Sequence, residues 1–342
     1  MFLQLLVVFV SSVICTGLVR QYALWKNVLD IPNHRSSHTV PTPRGGGIAM
    51  VLVYLFSLAY QLNQNGFSDE QLALMIGGGI IAFTGFLDDH HSLSARWRLL
   101  VQVVISVFMV LSAGELPTVN IFDRAVHPDV VAYPVLVLTL VWMTNLYNFM
   151  DGIDGLAGIE VVSVCLIIST IYHLTGFTPN DGNAVLLLAA SAGGFLVWNF
   201  PPAKIFMGDV GSGFIGLLLG GLMLRDAAKE PKYLFVWLIL LAVFIVDATM
   251  TLLYRIYMKE RFYEAHKTHA FQYASRMMGS HKKVTISVVC INLLWLSPIA
   301  LLVAKDWVEE IPGFFIAYVP IIVLWVRVRR HGKAWDLQNS AA

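Results

Sequence analysis

Eleven apolar runs dominate this chain, near residues 2–19, 46–62, 71–87, 97–113, 132–148, 155–175, 184–199, 211–224, 234–253, 284–304 and 314–326. An α-helix needs about 20 apolar residues to cross the hydrocarbon core of a bilayer, and in lipid only helices and closed barrels satisfy every backbone N–H and C=O. The expected fold is therefore all-α: a polytopic integral membrane protein of about 11 transmembrane helices, with residues 1–342 forming one multi-span domain. Composition agrees, since 57% of the side chains are hydrophobic and 13% charged where soluble chains run near ~25% charged. A water-soluble enzyme on a membrane tether is excluded.

No basic residue precedes the first run and Arg20 follows it, the reverse of a secretory signal, so residues 2–19 read as a permanent span. Cys15, Cys165 and Cys290 lie in apolar runs without paired spacing, which argues against a disulfide framework or a thiolate metal site. Eighteen of the 23 Lys and Arg fall in the alternate connections 20–45, 88–98, 200–210 and 254–283 and in the tail 327–342. The positive-inside rule makes that side cytoplasmic, with the N-terminus periplasmic and the C-terminus cytoplasmic. A net charge of +1 supplies no positive field for nucleic acid.

The residue types that chemistry needs gather on the predicted cytoplasmic side. Asp88 and Asp89 end the third run; adjacent carboxylates there repel each other and call for a cation or a proton, unless they belong to a solvated loop. Arg96 and Arg98 follow within ten residues and add an anion-binding group. In NLYNFMDGIDG (145–155), Asn145, Asn148, Asp151 and Asp154 recur at steps of three, so successive pairs are neighbours along a helix. Two amides and two carboxylates form an all-oxygen set of the kind that Mg²⁺ prefers, usually with retained waters and substrate phosphates; helix capping is the plainer alternative.

Phe206–Gly213 reads FMGDVGSG and puts Asp209 at the start of the eighth run, where it either caps the helix or holds a metal against a phosphate oxygen. No GxxxxGK[ST] occurs, so this is not a P-loop. His266 and His269 share a loop with Arg255, Lys259, Arg261 and Lys267; with no further His or Cys close by, phosphate contact is a better reading than zinc. Asp247 is an intramembrane acid and a functional candidate by default, with Arg255 as a structural partner two turns on. A phosphate-chemistry enzyme accounts for hard-metal ligands, basic loops and a glycine-rich helix start on one face. A secondary transporter wants polar groups near mid-bilayer and broken helices in corresponding halves, which these runs do not show.

In order, DIPNHRSSHTVPTPRGGG (30–47), DD (88–89) with RWR (96–98), NLYNFMDGIDGLAG (145–158), NFPPAKIFMGDVGSGFIG (199–216), DATMTLLYR (247–255) and HKTH (266–269) are met along nearly the whole chain. With these motifs it resembles the polyprenyl-phosphate N-acetylhexosamine-1-phosphate transferases. That family includes phospho-MurNAc-pentapeptide translocase and the enzymes that initiate O-antigen, enterobacterial common antigen and teichoic acid synthesis. The resemblance implies transfer of a sugar 1-phosphate from a UDP-N-acetylhexosamine to undecaprenyl phosphate, with Mg²⁺ or Mn²⁺, giving a lipid diphosphate-sugar and UMP. It implies the bacterial inner membrane as the site of action, with cytoplasmic active-site loops at 20–45, 88–98, 149–154, 200–210 and 254–283. A homodimer is left open.

Carried onto this sequence, the resemblance makes Asp209 and Asn148 the metal ligands. Asp88 and Asp89 bind the lipid phosphate, with Asp88 the proton acceptor if one is used. Phe206 stacks on uracil, Asn199 and Asp154 contact the nucleoside, and Asp151 contacts substrate. Arg96, Arg98, His266 and His269 neutralise diphosphate and lipid-phosphate charge. PTPRGGG and HKTHAFQ look closest to the branch that starts O-antigen chains, for which UDP-GlcNAc or a 6-deoxy relative (FucNAc, QuiNAc) is the expected donor. The peptidoglycan branch carries three consecutive histidines where this chain has His266-Lys267-Thr268-His269, which argues against UDP-MurNAc-pentapeptide.

Overall fold

The computed structural model describes residues 1–32, 37, 40–66, 68–91, 93–113, 119–121, 124–126, 132–179, 183–261 and 266–340. Its helices are α1 (Phe2–Trp25), α2 (Gly47–Asn65), α3 (Asp69–His91), α4 (Ala95–Ser112), α5 (Ala132–Met150), α6 (Leu156–Thr175) and α7 (Ala184–Asn199). They continue as α8 (Asp209–Lys229), α9 (Lys232–Leu240), α10 (Ala242–Tyr257), α11 (Ala270–Met278), α12 (His281–Ile291), a π-helical turn (Asn292–Leu296), α13 (Ser297–Ala304) and α14 (Glu310–Ser340). Two short antiparallel pairs complete the elements: β1 (Leu29–Asp30) with β2 (Thr42–Pro43), and β3 (Val119–Ile121) with β4 (Arg124–Val126).

Each of the eleven apolar runs is helical, and the chain is an all-α polytopic membrane protein. Among the described residues seven helices are long and apolar enough to cross a membrane, and counting α9 and α10, bent by 76° at their junction, as one span gives eight. That bend corrects the expectation of an unbroken run at 234–253. It falls at Leu241 (φ −91°, ψ 6°), with neither Pro nor Gly in the run.

Helix α8 is the axis of the bundle, buried continuously from Val210 to Ala227 and packed on α2, α3, α5 and α9. Lipid tails are as apolar as leucine, so helices here are held by close packing and hydrogen bonds rather than by exclusion of water. Large side chains such as Tyr54, Tyr147, Phe195, Phe214 and Trp237 are fully buried in that packing. At the end of α8 remote from Asp209, the Asp226 carboxylate accepts hydrogen bonds from Arg225, Tyr172 and Trp237. A buried carboxylate is tolerable only when paired and bonded in this way, and here the bonds tie α6 and α9 to α8.

Candidate active site

The residues at the other end of α8 come together through backbone pairing of distant segments. The strand pair β1–β2 delivers the chain to Pro43, whose C=O accepts the Phe206 N–H at 2.8 Å; Gly46 and Gly47 then donate to the C=O groups of Phe206 and Met207, both at 2.9 Å. This zipper sets Arg44 beside Asp209. From α3, the Asp89 carboxylate accepts the N–H groups of Asp209 (3.1 Å) and Val210 (3.3 Å). An anion there satisfies orphan donors and complements the helix dipole. Gly208 has φ 78°, and a Cβ there would lie 2.5 Å from Asp89 Oδ2.

Because Asp89 is the cap, the Asp209 side chain is not needed as one. Its Oδ1 is 2.9 Å from Asn148 Nδ2 and 3.3 Å from Arg44 Nη2, and its Oδ2 is 3.6 Å from Arg98 Nη1. Arg44 also pairs with Asp89 at 2.7 Å. Arg98 pairs with Asp88 at 2.5 Å, while the other Asp88 oxygen accepts the Leu93 N–H at 2.6 Å. Burial opposes the charge on Arg44, but the carboxylates of Asp89 and Asp209 outweigh it and raise its pKa. In the sequence Arg44 is a basic residue of the 20–45 loop and the arginine of PTPRGGG, and its partners lie 45 and 165 residues away.

Asp151 follows α5 and no donor among the described residues contacts its carboxylate. Burial, and then the negative charges of Asp209, Asp89 and Asp154, push its pKa well up, with Arg44 offsetting them only in part. Four acids (Asp88, Asp89, Asp151, Asp209) stand with two guanidinium groups (Arg44, Arg98): burial and mutual repulsion raise the pKa of Asp89, Asp151 and Asp209, and a divalent cation would balance the excess charge of the fully ionised set. Among the described residues no three His, Cys, Asp or Glu side chains form a ready ligand group. Mg²⁺ fits such a place, because it takes one or two carboxylates and fills its remaining positions with water and phosphate. The four-residue ladder expected from the steps of three does not hold as a set. Asn145 donates to Gln102 on α4 at 2.7 Å, and Asp154 turns toward α12.

Beside the cluster lies a cavity of about 570 Å³ lined by Thr42, Asp154, Phe206, Arg276, His281 and Lys282 among others. Three of the segments that build the cluster also wall this cavity two or three residues away: Arg44 with Thr42, Asp151 with Asp154, Asp209 with Phe206. Asn199, expected on the nucleoside, is buried and uses both amide atoms on backbone, accepting from Gly155 N–H (3.0 Å) and donating to Ile205 C=O (2.9 Å). It shapes the turn that carries Asp154. Arg96 is exposed at the second residue of α4, without a described contact to the cluster.

His266 and His269 form a stack with Phe271: the two imidazoles are 4.9 Å apart at 22°, and the His269 and Phe271 rings 5.5 Å apart at 22°. Asp247 caps α11 by accepting the N–H groups of Ala270 (2.8 Å) and Phe271 (2.9 Å), with His269 Nδ1 at 3.4 Å. Arg255 pairs not with Asp247 but with Glu260, at 2.7 Å. Burial, and then the charges of His269, Arg255 and Arg329, lower the His266 pKa from 6.5 to about 3. Below pH 6.5 the unfolded chain binds a proton there that the folded chain refuses, so His266 stabilises at neutral pH and that contribution is lost as pH falls toward 3. In detergent, the melting temperature of wild type relative to His266→Gln should therefore drop on acidification from pH 6.5; parallel pH profiles would contradict the half-buried, neutral state.

Against known proteins, the model for glycosyl transferase family 4 matches residues 71–226. A probable undecaprenyl-phosphate N-acetylglucosaminyl 1-phosphate transferase of Bacillus subtilis (strain 168) is 30% identical over 336 residues, covering 95% of this chain and 91% of the relative. A phospho-N-acetylmuramoyl-pentapeptide-transferase of Streptococcus suis (strain 05ZYH33) is 31% identical over 70% of this chain and 74% of its own length. A decaprenyl-phosphate N-acetylglucosaminephosphotransferase of Mycolicibacterium smegmatis (strain ATCC 700084 / mc(2)155) is 33% identical over 70% and 65%.

Proposed function

The chain belongs to glycosyl transferase family 4, the polyprenyl-phosphate N-acetylhexosamine-1-phosphate transferases, and from that membership we propose that its donor is a UDP-N-acetylhexosamine and its acceptor undecaprenyl phosphate. The observation that carries this reading is the adjacency of the Asp88/Asp89/Asp151/Asp209 cluster, with Arg44 and Arg98, to a cavity walled by Asp154 and Phe206. A nucleoside in the cavity puts its diphosphate at the cluster. A lipid phosphate oxygen attacks the phosphorus that bears the sugar, the bond to the bridging oxygen breaks, and UMP leaves.

Both substrates are anions, so the chain must bring like charges together. Arg44 and Arg98 stand where they screen the diphosphate, and the carboxylates that flank them fix their direction. Phe206 offers a face for uracil and Asp154 an acceptor for nucleoside N–H or O–H groups. Asp209, Asp151 and the Asn148 amide are the groups that would hold Mg²⁺ or Mn²⁺. Bound there, the ion supplies charge neutralisation on phosphate oxygens. The attacking phosphate already carries about −1.5 to −2 charge near pH 7, so positioning and charge neutralisation supply most of the acceleration. Asp88, held by Arg98 and the Leu93 N–H, orients Arg98 and takes a proton only from a lipid phosphate that arrives protonated.

The excess of Lys and Arg in these loops supports a cytoplasmic position for this face under the positive-inside rule, in a bacterial inner membrane on this reading. The relatives from B. subtilis and M. smegmatis carry N-acetylglucosamine in their names, which favours UDP-GlcNAc, in a chain that starts O-antigen or another surface polysaccharide. The test incubates membranes with undecaprenyl phosphate, Mg²⁺ and UDP-GlcNAc, UDP-FucNAc, UDP-QuiNAc or UDP-MurNAc-pentapeptide, and reads released UMP and the mass of the lipid product. UMP from the pentapeptide donor alone would move the chain to peptidoglycan synthesis. No UMP from any donor would end the reading.

A further inference from the structure

Nothing in the sequence around His281 singles it out, yet it stands at the first turn of α12 against Asp154. Its Nδ1 is 3.2 Å from Asp154 Oδ1 and 3.4 Å from the Asp154 backbone nitrogen. One ring nitrogen cannot serve both at once: protonated it donates to the carboxylate, unprotonated it accepts the amide N–H. In either state it holds the same residue. Four residues on, one turn along the same face, the buried Thr285 hydroxyl donates to the Asp154 C=O at 3.0 Å. The other Asp154 oxygen accepts the Ala203 N–H at 3.0 Å, from the loop that carries Phe206. Asp154 is thus the joint at which α12, the turn after α5 and the 200–208 loop meet, and His281 and Lys282 extend the wall of the cavity beyond it.

We infer that His281 is a positioning residue for the donor: acting through Asp154, it sets the shape in which the cavity accepts the nucleoside of the UDP-sugar. This rests on the reading of that cavity as the donor site. A histidine that merely stapled α12 to the bundle would, when lost, lower protein yield and apparent kcat and leave both KM values unchanged. A positioning residue changes donor affinity alone.

The experiment measures kcat and the two KM values in detergent micelles for wild type, His281→Ala, His281→Asn, Asp154→Ala and the double variant His281→Ala/Asp154→Ala, each checked for monodispersity. Losing a hydrogen bond to a charged group should raise the KM for the UDP-sugar about tenfold to a hundredfold in His281→Ala. The value of kcat and the KM for undecaprenyl phosphate should stay near wild type. Asparagine places its amide nitrogen where the imidazole Nδ1 stood, so His281→Asn should recover most of the donor KM. The double variant should be no worse than Asp154→Ala, since both remove one interaction. The inference is overturned if Asp154→Ala raises the donor KM while His281→Ala does not, if the two effects simply add, or if His281→Ala lowers kcat without rescue by Asn. If Asp154→Ala also leaves the donor KM unchanged in an active enzyme, the donor reading of the cavity fails and takes this inference with it.

Discussion

Asp209→Ala is expected to reduce sugar-phosphate transfer by about a thousandfold or more, in membranes that contain normal amounts of the protein. Three side chains converge on this carboxylate: Arg44 at 3.3 Å, Asn148 at 2.9 Å and Arg98 at 3.6 Å. It is also more exposed than the two acids of α3, 23% against 5% for Asp89 and 8% for Asp88. Its loss should leave the fold intact, because the N-terminus of α8 is capped by Asp89 and not by Asp209 itself. Asp209→Asn separates charge from shape: it keeps the contact with Asn148 but removes the negative charge that a divalent ion needs, and should be nearly as inactive. Asp89→Ala is the contrasting case, since it strips two helix N–H groups of their acceptor and should lower the amount of folded protein as well as activity. Full activity of Asp209→Ala, with UMP release normalised to protein, would remove the cluster from the reaction.

What could be read from the sequence was whatever is local. Every apolar run is helical, two of them (234–253 and 284–304) in more than one piece, because length and apolarity are properties of a window and lipid demands that the backbone satisfy its own hydrogen bonds. The Asp-rich glycine turns were legible for the same reason. The 76° break between α9 and α10 was not, since FVWLILLAVFIVD contains no residue that breaks a helix. The site was half legible. Asp88, Asp89, Asp151 and Asp209 do meet, but their division of labour depends on contacts across more than a hundred residues. Asp89 caps a helix that begins at Asp209, and Arg44 is aimed by strand-like pairing with Phe206 and Met207. Asn199 has the residue type of a ligand, and only its burial and its two backbone partners show that it braces a turn. His281 had no local signal because its one informative neighbour, Asp154, lies 127 residues earlier.

The geometry at Asp209 depends on a backbone contact that one methyl group should destroy. Gly85 lies one turn before Asp88 and Asp89 on α3, where that helix crosses the start of α8. A Cβ at Gly85 would sit 2.4 Å from the carbonyl oxygen of Asp209, 2.5 Å from its carbon and 2.6 Å from Val210 N. These are backbone atoms that cannot rotate away, so the two helices must part. Parting them stretches the bonds from Asp89 to the α8 N–H groups, now 3.1 and 3.3 Å, and carries Asp209 away from Asn148 and Arg44. A displacement near 1 Å at reacting groups costs about a hundredfold in rate, and overpacking of this kind costs about 1–3 kcal/mol of stability. Gly85→Ala should therefore lower both kcat and the melting temperature in detergent. The control is Gly79→Ala on the same helix, where the nearest atom to an added Cβ is a leucine methyl at 4.0 Å and helix propensity favours alanine. Gly79→Ala should keep wild-type rate and stability; if Gly85→Ala matched it, the contact between α3 and α8 would not be what holds Asp209 in place.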